Sequence, residues 1–390
     1  MRGMMRLLWA GLAILAGGCV PVQSPAPPSV SIAATGACRS ASVTVAFDFD
    51  GAPPLRCWVT GERAFSLLVT PEHAPPINPS PWYAFRYTAQ GDGPVSVTLR
   101  YLEGGHRYAP KFATDGSWRE IPAEVSADGK AARIDLPPGA GVIAAQELME
   151  PVLARQALSR WAEQGGTKVF TLGTSHDGRS IDAVRLGRPD APRLVVLLGR
   201  QHPPEVTGAI AMEAFVGALA ARAGDLGDVQ VLVVPMLNPD GVVRGHWRAN
   251  RGAVDLNRDW GAFTQPETRS VKAWLDRLPR GVRPVLMVDF HSTRTNLFYV
   301  QGDDEASAAQ QRFRAAWLDG RENALPGYPF TIEPRNANPG SGTAKNWFHA
   351  TYAIPAYTYE VSDDAGREAA RAAAGILAQR LLPALDALKD

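Results

Sequence analysis

His202 and Glu205 stand three residues apart in the stretch RQHPPE, Arg200 to Glu205. On one helical turn that spacing lets an imidazole and a carboxylate point at the same spot. Together they supply two of the three protein ligands of a catalytic zinc site, which keeps its fourth position open. The pair alone is equally a surface histidine beside a helix-start glutamate. His291 tips the balance towards zinc. It follows the apolar run RPVLMVDF directly and is one of only seven histidines in the chain.

The elements that must bring these residues together are also readable. Leu194 to Leu198 is an apolar, branched run that reads as a buried strand ending at Gly199, so His202 and Glu205 lie just past its C-terminal edge. Pro203 and Pro204 suit the first positions of a helix, and EVTGAIAMEAFVGALAA continues with helical spacing. RPVLMVDF reads as a second strand, offering His291 at the same edge. In open α/β sheets the site lies beyond the carboxyl ends of the strands, as this placement requires.

From Val142 onward strand and helix patterns alternate, which predicts an α/β domain over 142–390 with a mixed, mainly parallel central sheet and helices on both faces. The last helical stretch, Ala365 to Leu388, is expected to kink at Pro383. Residues 31–141 read differently. Short strands such as SVTVAFDF, FSLLVT, WYAFRYT, VSVTLRY and ARIDL, separated by Gly, Pro, Asn and Asp, predict an all-β sandwich. Trp82, Tyr83, Phe85 and Tyr87 resemble a carbohydrate-binding strip, but such a cluster is more commonly core and cross-strand packing, which is what is expected of them.

A chain of 390 residues with 45% apolar content and a net charge of +1 can bury a full core in two or three domains. It has no basic stripe or tail, which argues against nucleic acid as a partner. Arg2 and Arg6 precede the apolar run Leu7 to Ala16, too short to span a membrane and laid out as a secretory signal over 1–19. LAGGC, ending at Cys19, resembles a bacterial lipobox, with Ala16 where leucine is more usual. That implies export, a lipid on Cys19 as the only membrane attachment, a periplasmic location, and a flexible linker over 20–30. Cys38 and Cys57 then remain as an even pair in an oxidising compartment and are expected to form a disulfide.

Beyond the ligands, HxxE, NPDG, WR, DLNRDW, FHS and a late YTYE occur in the order of the carboxypeptidase A-like zinc carboxypeptidases. The resemblance covers roughly Val142 to Leu388, and the layout, a β-sandwich before the catalytic domain, is most similar to the cytosolic-carboxypeptidase-like branch. It implies that His202, Glu205 and His291 bind zinc, and that Arg248 polarises the scissile carbonyl and stabilises the oxyanion. It also implies that Asn257 and Arg258 grip the substrate's terminal carboxylate and that Glu360 is the general base. Each role suits its residue type: an arginine fork matches a carboxylate, and fixed cationic donors stabilise developing negative charge. Asp255 reads as a structural acceptor, and Asp289 as a residue that orients His291 or nearby backbone.

Counting back from Glu360, Lys345 falls where the family's specificity pocket is floored, which implies a preference for an acidic terminal side chain. The family's mobile tyrosine has no clear counterpart; its position falls near Asn338, and Tyr299, Tyr352 and Tyr357 cannot be assigned the role. Pro204 stands where the cytosolic branch commonly has glycine, leaving the ligand spacing intact. The resulting expectation is a zinc metallocarboxypeptidase acting on peptides with a free C-terminal carboxylate. Two alternatives stay open: an amidase or deacylase cutting cell-wall or N-acyl amides, and a non-catalytic binding lipoprotein. The oligomeric state is not readable.

Overall fold

The strand Arg193–Gly199 is buried along its whole length and feeds two cores at once. Val195 and Leu197 face the helices Pro151–Gln164, Val206–Ala220, Ala308–Trp317 and Arg367–Leu385. Leu194, Val196 and Leu198 face the opposite way, towards Pro266–Leu275 and Ala344–Tyr352. The period of two along a strand therefore accounts for a sheet with helices on both faces. Burying a side chain such as Phe215, wholly inaccessible in this core, contributes about 1.5–3 kcal/mol.

The computed structural model describes residues 36–335 and 341–389. The signal run, Cys19, the 20–30 linker and Asn338 lie outside the described residues.

The central sheet has eight strands, in the spatial order Val169–Thr174, Ser180–Leu186, Val229–Val234, Arg193–Gly199, Arg283–Thr293, Ala356–Ser362, Leu297–Val300 and Thr331–Pro334. It is mixed. The four strands from Val229–Val234 to Ala356–Ser362 run parallel, and antiparallel pairs flank them. From Arg193–Gly199 the chain first builds outward to Val229–Val234, then crosses back to Arg283–Thr293 on the other side. The carboxyl ends of Arg193–Gly199 and Arg283–Thr293 form the topological switch point where α/β sheets open a crevice. The last helix, Arg367–Leu385, runs through Pro383.

N-terminal to this lie two sheets, one of six strands and one of five, sharing a single core. Trp82, Tyr83, Phe85 and Tyr87 are buried within it, so they are packing residues. Cys38 and Cys57 are joined in a disulfide that links the two sheets, with Cα atoms 6.0 Å apart. The strand Ala140–Ala144 lies between Ala84–Ala89 and Lys111–Ala113, so the β-sandwich runs three residues past position 141. Helical structure begins only at Pro151. Among the described residues no helix is long and apolar enough to cross a membrane.

Candidate active site

The switch point delivers the predicted ligands. His202 follows the strand Arg193–Gly199, and His291 lies near the end of its parallel neighbour Arg283–Thr293, where Gly199 is in register with Phe290. Glu205 directly precedes the helix Val206–Ala220. That helix packs its first turn onto the second strand: a Cβ at Gly208 would collide with the His291 carbonyl, so only glycine allows the approach. Ser292 secures the contact, its Oγ accepting from the Thr207 hydroxyl at 2.8 Å and the Gly208 N–H at 2.9 Å.

The three ligand groups converge within 4.8 Å of one another. Glu205 lies between the two imidazoles, with Oε1 2.8 Å from His202 Nδ1 and Oε2 2.7 Å from His291 Nδ1. Each histidine turns its other nitrogen to a carboxylate: His202 Nε2 is 2.9 Å from Asp255 Oδ1 and His291 Nε2 is 2.7 Å from Asp289 Oδ2. Two Nδ1 atoms and a carboxylate aimed at one point, each imidazole oriented from behind, match the donor types that a catalytic zinc centre uses. Burial alone would raise Glu205, but the imidazoles outweigh it and hold its carboxyl well below the usual range. Burial likewise opposes protonation of His291, yet Asp289 and Glu205 lift it well above an ordinary histidine.

Asp255 is the hub of the surrounding network. Besides His202 it accepts from Arg248 Nε at 2.7 Å and from the Asn257 N–H at 2.9 Å. Asn238 of the NPDG motif caps the short helix Pro239–Val243 and donates to the carbonyls of Gln201 and Ala249, tying the ligand loop to the arginine segment. Gln201 in turn donates to Asp289 Oδ2 at 2.5 Å and accepts from Trp260 Nε1. The Asn257 amide oxygen accepts from the Ala344 N–H, the start of the helix Ala344–Tyr352 that carries Lys345. Glu360 reaches the site through sheet register, since it pairs with His291 across adjacent parallel strands. Burial pushes its carboxyl up to about 7, with one oxygen lacking a hydrogen-bond partner among the described residues.

His202, Glu205, His291, Arg248, Asn257, Arg258, Lys345 and Glu360 all line one cleft of about 620 Å³. Lys345 is 5% exposed and donates to the Arg335 carbonyl at 2.5 Å; burial brings its ammonium down to about 8. Tyr299 lines the cleft under the Arg335 guanidinium, whereas Tyr357 is buried in the core and Tyr352 packs on Trp347. Arg107 and Tyr108, from the N-terminal sandwich, also line it and were not identified from sequence. Arg107 donates to Asp363 through Nε and Nη2, at 2.9 and 2.7 Å, and Tyr108 accepts from Trp247 Nε1. No local motif marks them; only the packing of sandwich against sheet brings them here.

This fold and this His–Glu–His arrangement define a zinc-peptidase scaffold. The chain belongs to the zinc carboxypeptidase family, whose model matches residues 160–376. Cytosolic carboxypeptidase 2 of Danio rerio is 33% identical over 175 residues, which is 40% of this chain and 24% of that protein. An uncharacterized protein of Zymomonas mobilis is 34% identical over 131 residues, 31% of this chain and 33% of its own length. The chain thus spans about a quarter to a third of these curated relatives. A metallo-carboxypeptidase from Burkholderia cenocepacia superimposes with a TM-score of 0.75 at 20% identity, covering 89% of this chain and all of that one. A metallo-carboxypeptidase from Pseudomonas aeruginosa, solved with (2-guanidinoethylmercapto)succinic acid, gives 0.65 at 22% identity over 88% of this chain and 100% of that one. These two likenesses establish a common fold that includes the N-terminal β-rich region.

Proposed function

We propose that the protein is a metallocarboxypeptidase that hydrolyses the C-terminal amide bond of peptides and favours an acidic terminal residue. The observation that carries this reading is the sharing of Asp255. One carboxylate fixes a candidate metal ligand, His202, a candidate oxyanion donor, Arg248, and the backbone of Asn257.

His202, Glu205 and His291 would hold zinc. Zinc bound there supplies a Lewis acid and lowers the pKa of water towards about 7. The remaining work falls to the chain's own side chains. Arg258 and Asn257 bind the terminal carboxylate, which selects the last residue and excludes internal bonds. Arg248 stabilises negative charge developing on the scissile carbonyl oxygen. Glu360, beside His291 in the sheet and raised to about 7, takes a proton from the attacking water and delivers it to the leaving amine. Lys345 pairs with an acidic terminal side chain. In this reading the protein is exported and held at the membrane by lipid on Cys19; the LAGGC segment and the Cys38–Cys57 disulfide support that location. Cell-wall peptides and ordinary protein C-termini are equally suitable substrates.

Metal analysis together with mass spectrometry of a mixed peptide pool containing muropeptides tests the reading. About one zinc per chain with losses of single C-terminal residues is the expected result. Zinc without any such loss would exclude a carboxypeptidase and redirect attention to other amides, and absence of bound zinc would remove the basis of the reading.

A further inference from the structure

The helix Val206–Ala220 presents Glu205 at its start, and its flank lines a second cavity of about 480 Å³. The two cavities share no lining residue. Leu153, Trp161, Ile210, Met212 and Met236 give this one largely apolar walls. Its charges are graded by depth. Arg160 and Arg371 have side chains 53% and 47% exposed, whereas Arg200, which lines the same cavity as the buried Met212 and Met236, is only 3% exposed.

The lining contains four arginines and two glutamates, and three of the arginines are matched. Arg367 donates to both oxygens of Glu147 at 2.8 Å. Arg160 and Arg371 lie 2.5 and 3.6 Å from Glu213. Arg200 is the exception. Its Nε and Nη1 are buried with no hydrogen-bond partner among the described residues, and it forms no ion pair there. Glu205 attracts it electrostatically, but both Glu205 oxygens already face imidazoles. A guanidinium remains charged at any physiological pH, and a buried charge without a partner is unfavourable. The planar fork is matched best by a carboxylate, and the cavity lies in the size range of small-molecule sites.

We propose that this cavity binds an amphipathic monocarboxylate, its carboxylate on Arg200 and its apolar body between Leu153, Trp161, Ile210 and Met236. The site is separate from the catalytic cleft and does not depend on the peptidase reading.

The chain has seven methionines, of which Met149, Met212 and Met236 line this cavity while Met287 is buried in the other core. Among the described residues no methionine lines the catalytic cleft, so a probe bound there leaves the cavity methyls unshifted. Zinc-loaded full-length protein carrying 13C-methyl methionine is titrated with octanoate, octanol and acetate. Octanoate should shift the three cavity methyls saturably and leave Met287 unmoved, with octanol and acetate each at least about ten-fold weaker. Arg200→Gln should reduce octanoate binding to the level of octanol without changing octanol itself. If Arg200→Gln does not fold, Ala209→Phe, which fills the cavity and leaves Arg200 in place, should abolish the shifts. Equal affinity for octanoate and octanol would overturn the proposal. So would cavity methyls that ignore octanoate, or shifts that persist in the variants.

Discussion

The carboxylate of Glu72 accepts the backbone N–H of Arg248 at 2.9 Å. It also accepts the N–H of Ala249 at 2.6 Å and that of Trp247, so three successive donors of the arginine segment end on one side chain. Glu72 lies between the strands Ala64–Val69 and Ala84–Ala89 of the N-terminal sandwich. The sandwich therefore fixes the backbone of the residue proposed to stabilise the oxyanion, and Asp255 fixes its side chain from the catalytic part. Arg107, also from the sandwich, clamps Asp363, three residues beyond Glu360.

Glu72→Gln keeps the shape but puts an amide N–H where an acceptor is needed. We expect kcat to fall about 10- to 100-fold, about 1.4–2.8 kcal/mol of activation free energy, with KM nearly unchanged. Because the effect runs through Arg248, it should largely vanish in an Arg248→Ala background. Steady-state kinetics of the double-mutant cycle checks this. A loss of equal size in both backgrounds would show that Glu72 acts elsewhere.

Asp255→Asn tests the hub. It removes the charge behind His202 and weakens the hold on Arg248, so zinc affinity should drop about 10- to 100-fold, and kcat/KM measured at saturating zinc should still be reduced. Competition with a chromogenic chelator reads the first effect. Unchanged affinity would mean that Asp255 does not orient the ligand.

Lys345 carries a pH prediction. Burial lowers its ammonium to about 8, so it is charged below that pH and loses its proton as pH rises through it. The preference for C-terminal Glu over Leu should be full near pH 6.5, and should decline through about pH 8, with the Leu rate serving as internal control. Lys345→Met should flatten the dependence. A preference that persists at pH 10, or survives the substitution, would assign acidic recognition to another group.

The Cys38–Cys57 bond closes a loop with a sequence separation of 19. Replacing both cysteines with alanine should lower unfolding stability by about 3 kcal/mol, chiefly through the unfolded chain. Denaturant unfolding of the two forms measures it, and equal midpoints would refute a stabilising role.

Much of this site is legible along the chain because its ligands sit where local patterns end. His202 and His291 each follow an apolar run that must be a buried strand, and parallel strands end at one edge. The register that pairs His291 with Glu360 is not encoded locally, and the resemblance of YTYE to the family motif had to stand in for it. Glu72, Arg107 and Tyr108 were missed for a plainer reason. They act across sequence separations of well over a hundred residues, and nothing in their own segments distinguishes them from solvated loop residues. The strand Ala140–Ala144 escaped because AGVIA is as short and apolar as the start of a helix; pairing on both sides makes it a strand. Nothing in the sequence around Arg200 marks it as buried, since burial of a charge has no periodic signature.

The proposed activity requires a free terminal carboxylate on the substrate and Glu360 as the base that assists hydrolysis of the adjoining bond. The most direct measurement compares two peptides of identical sequence ending in Glu, one with a free and one with an amidated C-terminus, using wild-type protein and Glu360→Gln at equal zinc content. Loss of the terminal Glu is expected from the free peptide alone, with a rate about 10²- to 10⁴-fold lower in the variant. Equal rates on the two peptides, internal cleavage, or undiminished activity of Glu360→Gln would contradict it.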